Sequence, residues 1–173
     1  DSAGEYKQGW GDGMFKVAHA LRVDTDGNHW TTDNGSHVIR KFTPAGKLLL
    51  TLGELDVPGA DKTHFRSPDD LVFSSSGEIF VADAGNGRIV HLSAEGKWLA
   101  QWGKKGAEPG EFKLVHSLAI DSGDRIYVGD RGNNRVQVFE PSGKLAAVWS
   151  GFGNPFGVQV VGEHLLVSEA EVN

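Results

Sequence analysis

The stretch EIFVADAGNGRIVHLSAEGKWLAQWG, Glu78–Gly103, decides how the whole chain is read. It holds three short runs rich in β-branched, aromatic and aliphatic residues: EIFVAD, IVHL and KWLAQWG. Between them stand two turns, DAGNG after Asp83 and SAEGK ending at Lys97. Each run is four to seven residues long and is bounded by Gly, Asn, Asp or Ser, which is the chemistry of strands joined by tight turns. Just upstream, DDLVFS and the turn SSSGE supply a fourth run and a third turn.

The same pattern occurs twice more. DNGSH follows Asp33, and DRGNN follows Asp130. TPAGK ends at Lys47, and EPSGK ends at Lys144. Three units therefore align, at residues 15–53, 65–103 and 112–150. No stretch shows sustained helical periodicity. Four-stranded units repeating every 40–50 residues predict an all-β fold, a β-propeller, with each unit one blade. A blade buries its faces against its neighbours, which explains inner strands that are apolar on both parities. Residues 4–11 (GEYKQGWG) superpose on the outer strands of the three units and read as the fourth strand of a preceding blade. Residues 154–173 read as the first two strands of a following one. The expectation is one propeller region over 1–173, an arc of a larger, six-bladed ring. A small four-bladed ring with one defective blade is the rival arrangement.

Composition narrows the function classes. The chain has 173 residues and a net charge of −6, and 39% of it is hydrophobic. No basic run marks a nucleic-acid surface. No apolar run approaches the length of a membrane span. There are no cysteines, which excludes disulfides and thiolate metal sites. No targeting segment is read at the start of the sequence.

Chemistry enters through the phase of the repeat. KVAHALRVD (Lys16–Asp24) and KLVHSLAID (Lys113–Asp121) place His19 and His116 at equivalent points of two inner strands. The intervening unit has Asp69 there. A propeller converges its inner strands on one channel, so residues sharing a phase can meet across long sequence separations. Neutral imidazole is a good zinc ligand. A pair of hydrogen-bonded channel histidines is the plain alternative. The other five histidines are out of phase: His29 and His164 enter second strands, His37 lies in a turn, His64 between units and His91 in a third strand. Asp69 reads either as a carboxylate that orients a histidine or as a solvated channel acid.

Asp-x-x-Asn-x-Arg-Ile/Val, at Asp83/Asn86/Arg88/Ile89 and Asp130/Asn133/Arg135/Val136, resembles the NHL repeat. In that motif the aspartate caps a turn and pairs with the arginine, a structural duty. LGELDVPGADKTHFRSPDD (Leu52–Asp70) is similar to the inter-blade loop of the peptidyl-α-hydroxyglycine α-amidating lyases. The match rests on Pro58, Gly59, Asp61, His64, Phe65, Pro68 and Asp70. The resemblance implies a channel zinc on three histidines, two of them His19 and His116, with the third in a blade beyond Asn173. It implies a structural calcium on the backbone carbonyl of Leu21, and substrate binding by Arg131. It also implies cleavage of the carbon–nitrogen bond of a C-terminal α-hydroxyglycine, and an exported location. The family's active-site tyrosine has no counterpart: Ala84 and Gly85 stand after Asp83. The expected partners are a small peptide or α-hydroxy-acid-like ligand, with no nucleic acid. A non-catalytic propeller that binds a peptide or protein through its channel face is the alternative.

Overall fold

The computed structural model describes residues 3–6 and 8–170. Three antiparallel four-stranded sheets follow one another along the chain. The first holds β1 (Ala18–Val23), β2 (His29–Asp33), β3 (Val38–Phe42) and β4 (Leu48–Leu52). The second holds β5 (Pro68–Phe73), β6 (Ile79–Asp83), β7 (Arg88–Leu92) and β8 (Trp98–Trp102). The third holds β9 (Val115–Ile120), β10 (Ile126–Asp130), β11 (Arg135–Phe139) and β12 (Leu145–Trp149). A hairpin of β13 (Pro155–Val161) and β14 (His164–Glu169) comes last. These are the blades expected from the repeat, and their first strands touch in the order β1, β5, β9, β13.

The core lies between blades. Trp30 and Ile39 of the first sheet pack with Leu71, Ile79, Val81 and Leu92 of the second. Phe80 and Ile89 of the second pack with Leu118, Ile126, Val128 and Phe139 of the third. The middle strands are thus covered on both faces, and every residue of β6 and β10 is buried. Apolar residues exposed on β1, among them Leu21 and Val23, mark a face no neighbouring sheet covers among the described residues.

A buried aspartate–arginine pair organises each blade. Asp83 and Asp130 are fully buried and accept from Arg88 Nε (2.7 Å) and Arg135 Nε (2.8 Å). The guanidinium forks then reach past the sheet into the preceding loop. Arg88 donates to the carbonyls of Ala60, Asp61 and His64, and Arg135 to those of Ala107, Glu108 and Glu111. A planar fork with five donors can satisfy several carbonyls at once, which a lysine cannot. The first blade departs from the motif: Val38 stands where the others have arginine. Its Asp33 is instead served by Arg40, two residues further along the same strand (3.2 Å).

Outer strands lock against the turns of the next blade. A Cβ on Gly96 would meet Leu52 at 2.6 Å, and one on Gly143 would meet Trp102 at 2.8 Å. Both glycines have φ above +80°, so the turn and the close approach each require glycine. Trp10 sits on Gly46 in the same way and stacks on His29 (5.7 Å). The segment expected as an outer strand, residues 4–11, therefore occupies that packing position. Its described residues, 4–6 and 8–11, form no strand. Lys7, within the first expected partial blade, and residues 171–173, at the end of the second, lie outside the described residues.

Candidate metal and ligand site

The inner strands each carry one extra residue. In the second blade Pro68 pairs with Asp83 and Asp70 with Ala82, which leaves Asp69 unpaired. In the third, Val115 pairs with Asp130 and Ser117 with Gly129, which leaves His116. Pro155 and Gly157 leave Phe156 in the same way. In the first blade the ladder jumps from Ala18 to Leu21, and His19 stands in the irregular step. A β-bulge re-aims the side chain of its extra residue. Here it aims His19, Asp69, His116 and Phe156 at one open cleft of about 260 Å³. The repeat phase predicts this meeting of His19, Asp69 and His116, and the bulges accomplish it.

The two imidazoles are held alike. His19 Nδ1 is 2.8 Å from the backbone carbonyl of Asp69, and His116 Nδ1 is 2.7 Å from that of Phe156. In each case the acceptor is the bulge residue of the next blade. A carbonyl can only accept, so Nδ1 carries a proton on both rings, and in the neutral imidazole the lone pair is on Nε2. Such a fixed tautomer is how metal-binding histidines are oriented. The rings meet edge to face with centroids 5.1 Å apart. Burial lowers the His116 pKa, helped by the neighbouring His19 and Arg131, although the Phe156 carbonyl pulls the other way.

Asp69 is 4% exposed, so the reading of a solvated channel acid is corrected: the bulge and the two neighbouring blades cover it. Asn34 Nδ2 donates to its Oδ1 at 2.5 Å. Burial pushes the Asp69 carboxyl up to about 6, against the pull of His19, Asn34 and Arg131. One ligand atom each of His19, Asp69 and His116 lie within 4.8 Å of one another. Two nitrogens and a carboxylate at that separation are a donor set suited to a divalent transition metal.

Asn34 was not anticipated from the sequence, though the phase could have shown it. It follows Asp33 as Arg131 follows Asp130. Each reaches toward the bulge residue of the next blade. The Arg131 guanidinium lies 4.8 Å over the Phe156 ring, and its Nε donates to Asn154 Oδ1 at 2.9 Å. Arg131 is thus half-buried, packed on Phe156, which lines the cleft. The equivalent position in the second blade is Ala84, whose methyl group is much shorter than the Asn34 or Arg131 side chain. Gly85 beside it could carry no side chain, because a Cβ there would lie 2.5 Å from the Arg66 carbonyl oxygen. The turn Ala84–Asn86 has no room for a tyrosine at Gly85.

Leu21 lies just past the bulge, pairs with Thr31 and lines the same cleft. The neighbouring Asp70 is committed elsewhere. It accepts from Arg22 Nε (2.9 Å) and Nη2 (2.6 Å), Leu118 N (2.9 Å) and Ser117 Oγ (3.2 Å). This bidentate pair fastens β1, β5 and β9 together below the cleft.

Comparison with known proteins agrees with this architecture. The NHL repeat model matches residues 65–92 and 112–139. Peptidyl-glycine alpha-amidating monooxygenase of Mus musculus is 43% identical over 105 residues, 58% of this chain and 11% of that protein. A probable peptidyl-alpha-hydroxyglycine alpha-amidating lyase of Caenorhabditis elegans is 42% identical over 94 residues, 53% of this chain and 27% of that protein. Peptidyl-alpha-hydroxyglycine alpha-amidating lyase 2 of Drosophila melanogaster is 41% identical over 98 residues, 56% of this chain and 24% of that protein. The chain spans between about a tenth and a quarter of the length of these relatives. Among solved structures, a streptogramin B lyase superposes with a TM-score of 0.68 at 17% identity, covering 88% of this chain and 48% of that one. A chain of a nidogen/laminin complex superposes with a TM-score of 0.68 at 18% identity, covering 90% and 56%. At such identities these two establish the fold alone. No helix among the described residues is long and apolar enough to cross a membrane. The chain carries NHL repeats, folds as blades of a β-propeller, and resembles the peptidyl-α-hydroxyglycine α-amidating lyases over rather more than half its length.

Proposed function

We propose that the protein is a zinc-dependent lyase that cleaves peptidyl-α-hydroxyglycine to a peptide amide and glyoxylate. The observation that carries this reading is the pair of bulge histidines, each with Nδ1 tied to the next blade and Nε2 left for a metal. The lyase names of the relatives supply the substrate class. His19 and His116 would hold zinc, which as a Lewis acid would lower the pKa of the substrate hydroxyl. In the reaction the bond between the amide nitrogen and the glycine α-carbon breaks. The hydroxyl loses its proton and becomes the aldehyde of glyoxylate, and the departing nitrogen gains a proton as the peptide amide. Arg131, beside Phe156, would pair its fork with the substrate carboxylate. Calcium at the Leu21 carbonyl and an exported location belong to the same proposal.

The second reading is a propeller that binds a peptide through the same cleft without turning it over. It is favoured by the turn at Ala84–Asn86, where no side chain fits at Gly85 and no tyrosine stands over His116. One experiment separates the two. The zinc-loaded protein is incubated with a peptidyl-α-hydroxyglycine, and glyoxylate is measured beside His116→Ala and Arg131→Ala. Metal-dependent glyoxylate release that falls at least about a hundredfold in His116→Ala supports the lyase. Bound zinc without glyoxylate release refutes it and leaves the binding propeller.

A further inference from the structure

We propose that Asp69 is itself a metal ligand, so that this chain presents a two-histidine, one-carboxylate site built from the bulges of three successive blades. The proposal rests on the metal-dependent reading above but goes beyond it, since that reading uses only the histidines.

Three independent features support it. First, Asp69 occupies the bulge position that in the two flanking blades is histidine, so the same backbone device presents all three side chains to one point. Second, its carboxylate is more than nine-tenths buried yet faces no arginine or lysine within hydrogen-bond reach among the described residues. Every other buried aspartate of the blades has such a partner: Asp33 has Arg40, Asp70 has Arg22, Asp83 has Arg88 and Asp130 has Arg135. A buried carboxylate without a cation is costly unless something compensates it, and a divalent ion does so. Third, Asn34 takes only Oδ1. Oδ2 accepts no hydrogen bond among the described residues, so one oxygen is oriented by Asn34 and the other is free to coordinate.

Carboxylate and imidazole bonds to zinc are about 2.0–2.2 Å, which asks donors to stand roughly 3.5 Å apart. The three donors lie within 4.8 Å of one another. The chemistry fits zinc, and also manganese or ferrous iron, because the carboxylate adds a hard, negatively charged donor. Asp69 also corresponds to a role for Asn34: it positions the carboxylate as the Asp69 and Phe156 carbonyls position the imidazoles.

The test loads the full chain, Asp69→Asn, Asp69→Ala and His19→Ala with cobalt(II), and records visible absorption and competitive zinc affinity against a chelator. Circular dichroism and the urea midpoint are recorded beside them to confirm that each variant is folded. Asn is isosteric and keeps the Asn34 contact, so it removes the charge and little else. The expected result is that both Asp69 variants lose about a hundredfold or more in affinity and change the cobalt band intensity, reporting an altered ligand count. A folded Asp69→Asn with an unchanged spectrum and affinity within about threefold of the parent overturns the proposal. If His19→Ala also retains metal, the histidine site and the proposed function fall with it. If metal binding depends on His19 and Asp69 but no glyoxylate is released, the ligand assignment stands and only the lyase reading fails.

Discussion

Replacing Arg135 by methionine tests the claim that the buried arginine holds blade and loop together. Arg135 is 9% exposed, and its partner Asp130 is fully buried. Its four donated bonds run to Asp130 Oδ2 (2.8 Å) and to the carbonyls of Ala107 (2.7 Å), Glu108 (2.8 Å) and Glu111 (2.8 Å). Methionine fills much of the volume but supplies none of them. Breaking a buried pair by removing one partner costs about 3–5 kcal/mol, because the other charge is left uncompensated. Asp130 would keep its donors from Lys113 N, Asn133 Nδ2 and Gln137 Nε2. The three carbonyls would have to find water at the surface of the loop. These offsets place the expected loss near 4 kcal/mol, a large share of the ~5–15 kcal/mol typical of a domain. At a urea dependence of roughly 2 kcal/mol per molar, the midpoint should fall by about 2 M. The assay is urea unfolding by tryptophan fluorescence and circular dichroism together, with coincident curves licensing a single free energy. Arg135→Lys should recover only part of the loss, since an ammonium cannot span Asp130 and three carbonyls at once. The double variant Asp130→Asn/Arg135→Met should lose less than the sum of the singles. A loss below about 1 kcal/mol in Arg135→Met would refute the reasoning and make the pair a bystander.

Three further outcomes are expected. Gly143→Ala should cost about 2–4 kcal/mol in urea unfolding, because its φ is +84° and a Cβ meets Trp102 at 2.8 Å. Gly110→Ala, with the same φ but open space around it, should cost only the ~1–2 kcal/mol of the left-handed backbone, and equal losses would remove the packing argument. Phe112→Ala, fully buried between the second and third blades, should cost about 3–5 kcal/mol, and a smaller loss would mean the blades close over the cavity. Asp33 gives the acid dependence. Burial raises its pKa, but donors from Val17, Ser36, Lys16 and Arg40 outweigh that and bring it to about 2, below its ordinary 3.8. The pKa is depressed on folding, so the unfolded chain binds the proton first. The contribution is whole above about pH 4 and is lost as the pH falls through about 2. Asp33→Asn should flatten the stability profile in that window, and an unchanged slope would count against those hydrogen bonds.

The sequence by itself determined the blades. Turn residues at a fixed period and apolar runs of strand length leave few alternatives, because each unit needs its neighbours to bury both faces of its middle strands. It also determined which residues share a phase, and so placed His19, Asp69 and His116 at equivalent points. Only the tertiary structure decided how those residues meet. The extra residue of each inner strand is a matter of ladder register, and register depends on the partner strand, which no single segment encodes. The lock of each histidine on the next blade's carbonyl is likewise invisible in sequence, since a backbone oxygen has no residue type. Burial of Asp69 was misjudged for the same reason: a channel position looks wet in one blade and becomes dry when two others close on it. The sequence shows Ala84 and Gly85 after Asp83, and the structure adds that Gly85 lies against the Arg66 carbonyl, where backbone packed that closely leaves a side chain no space.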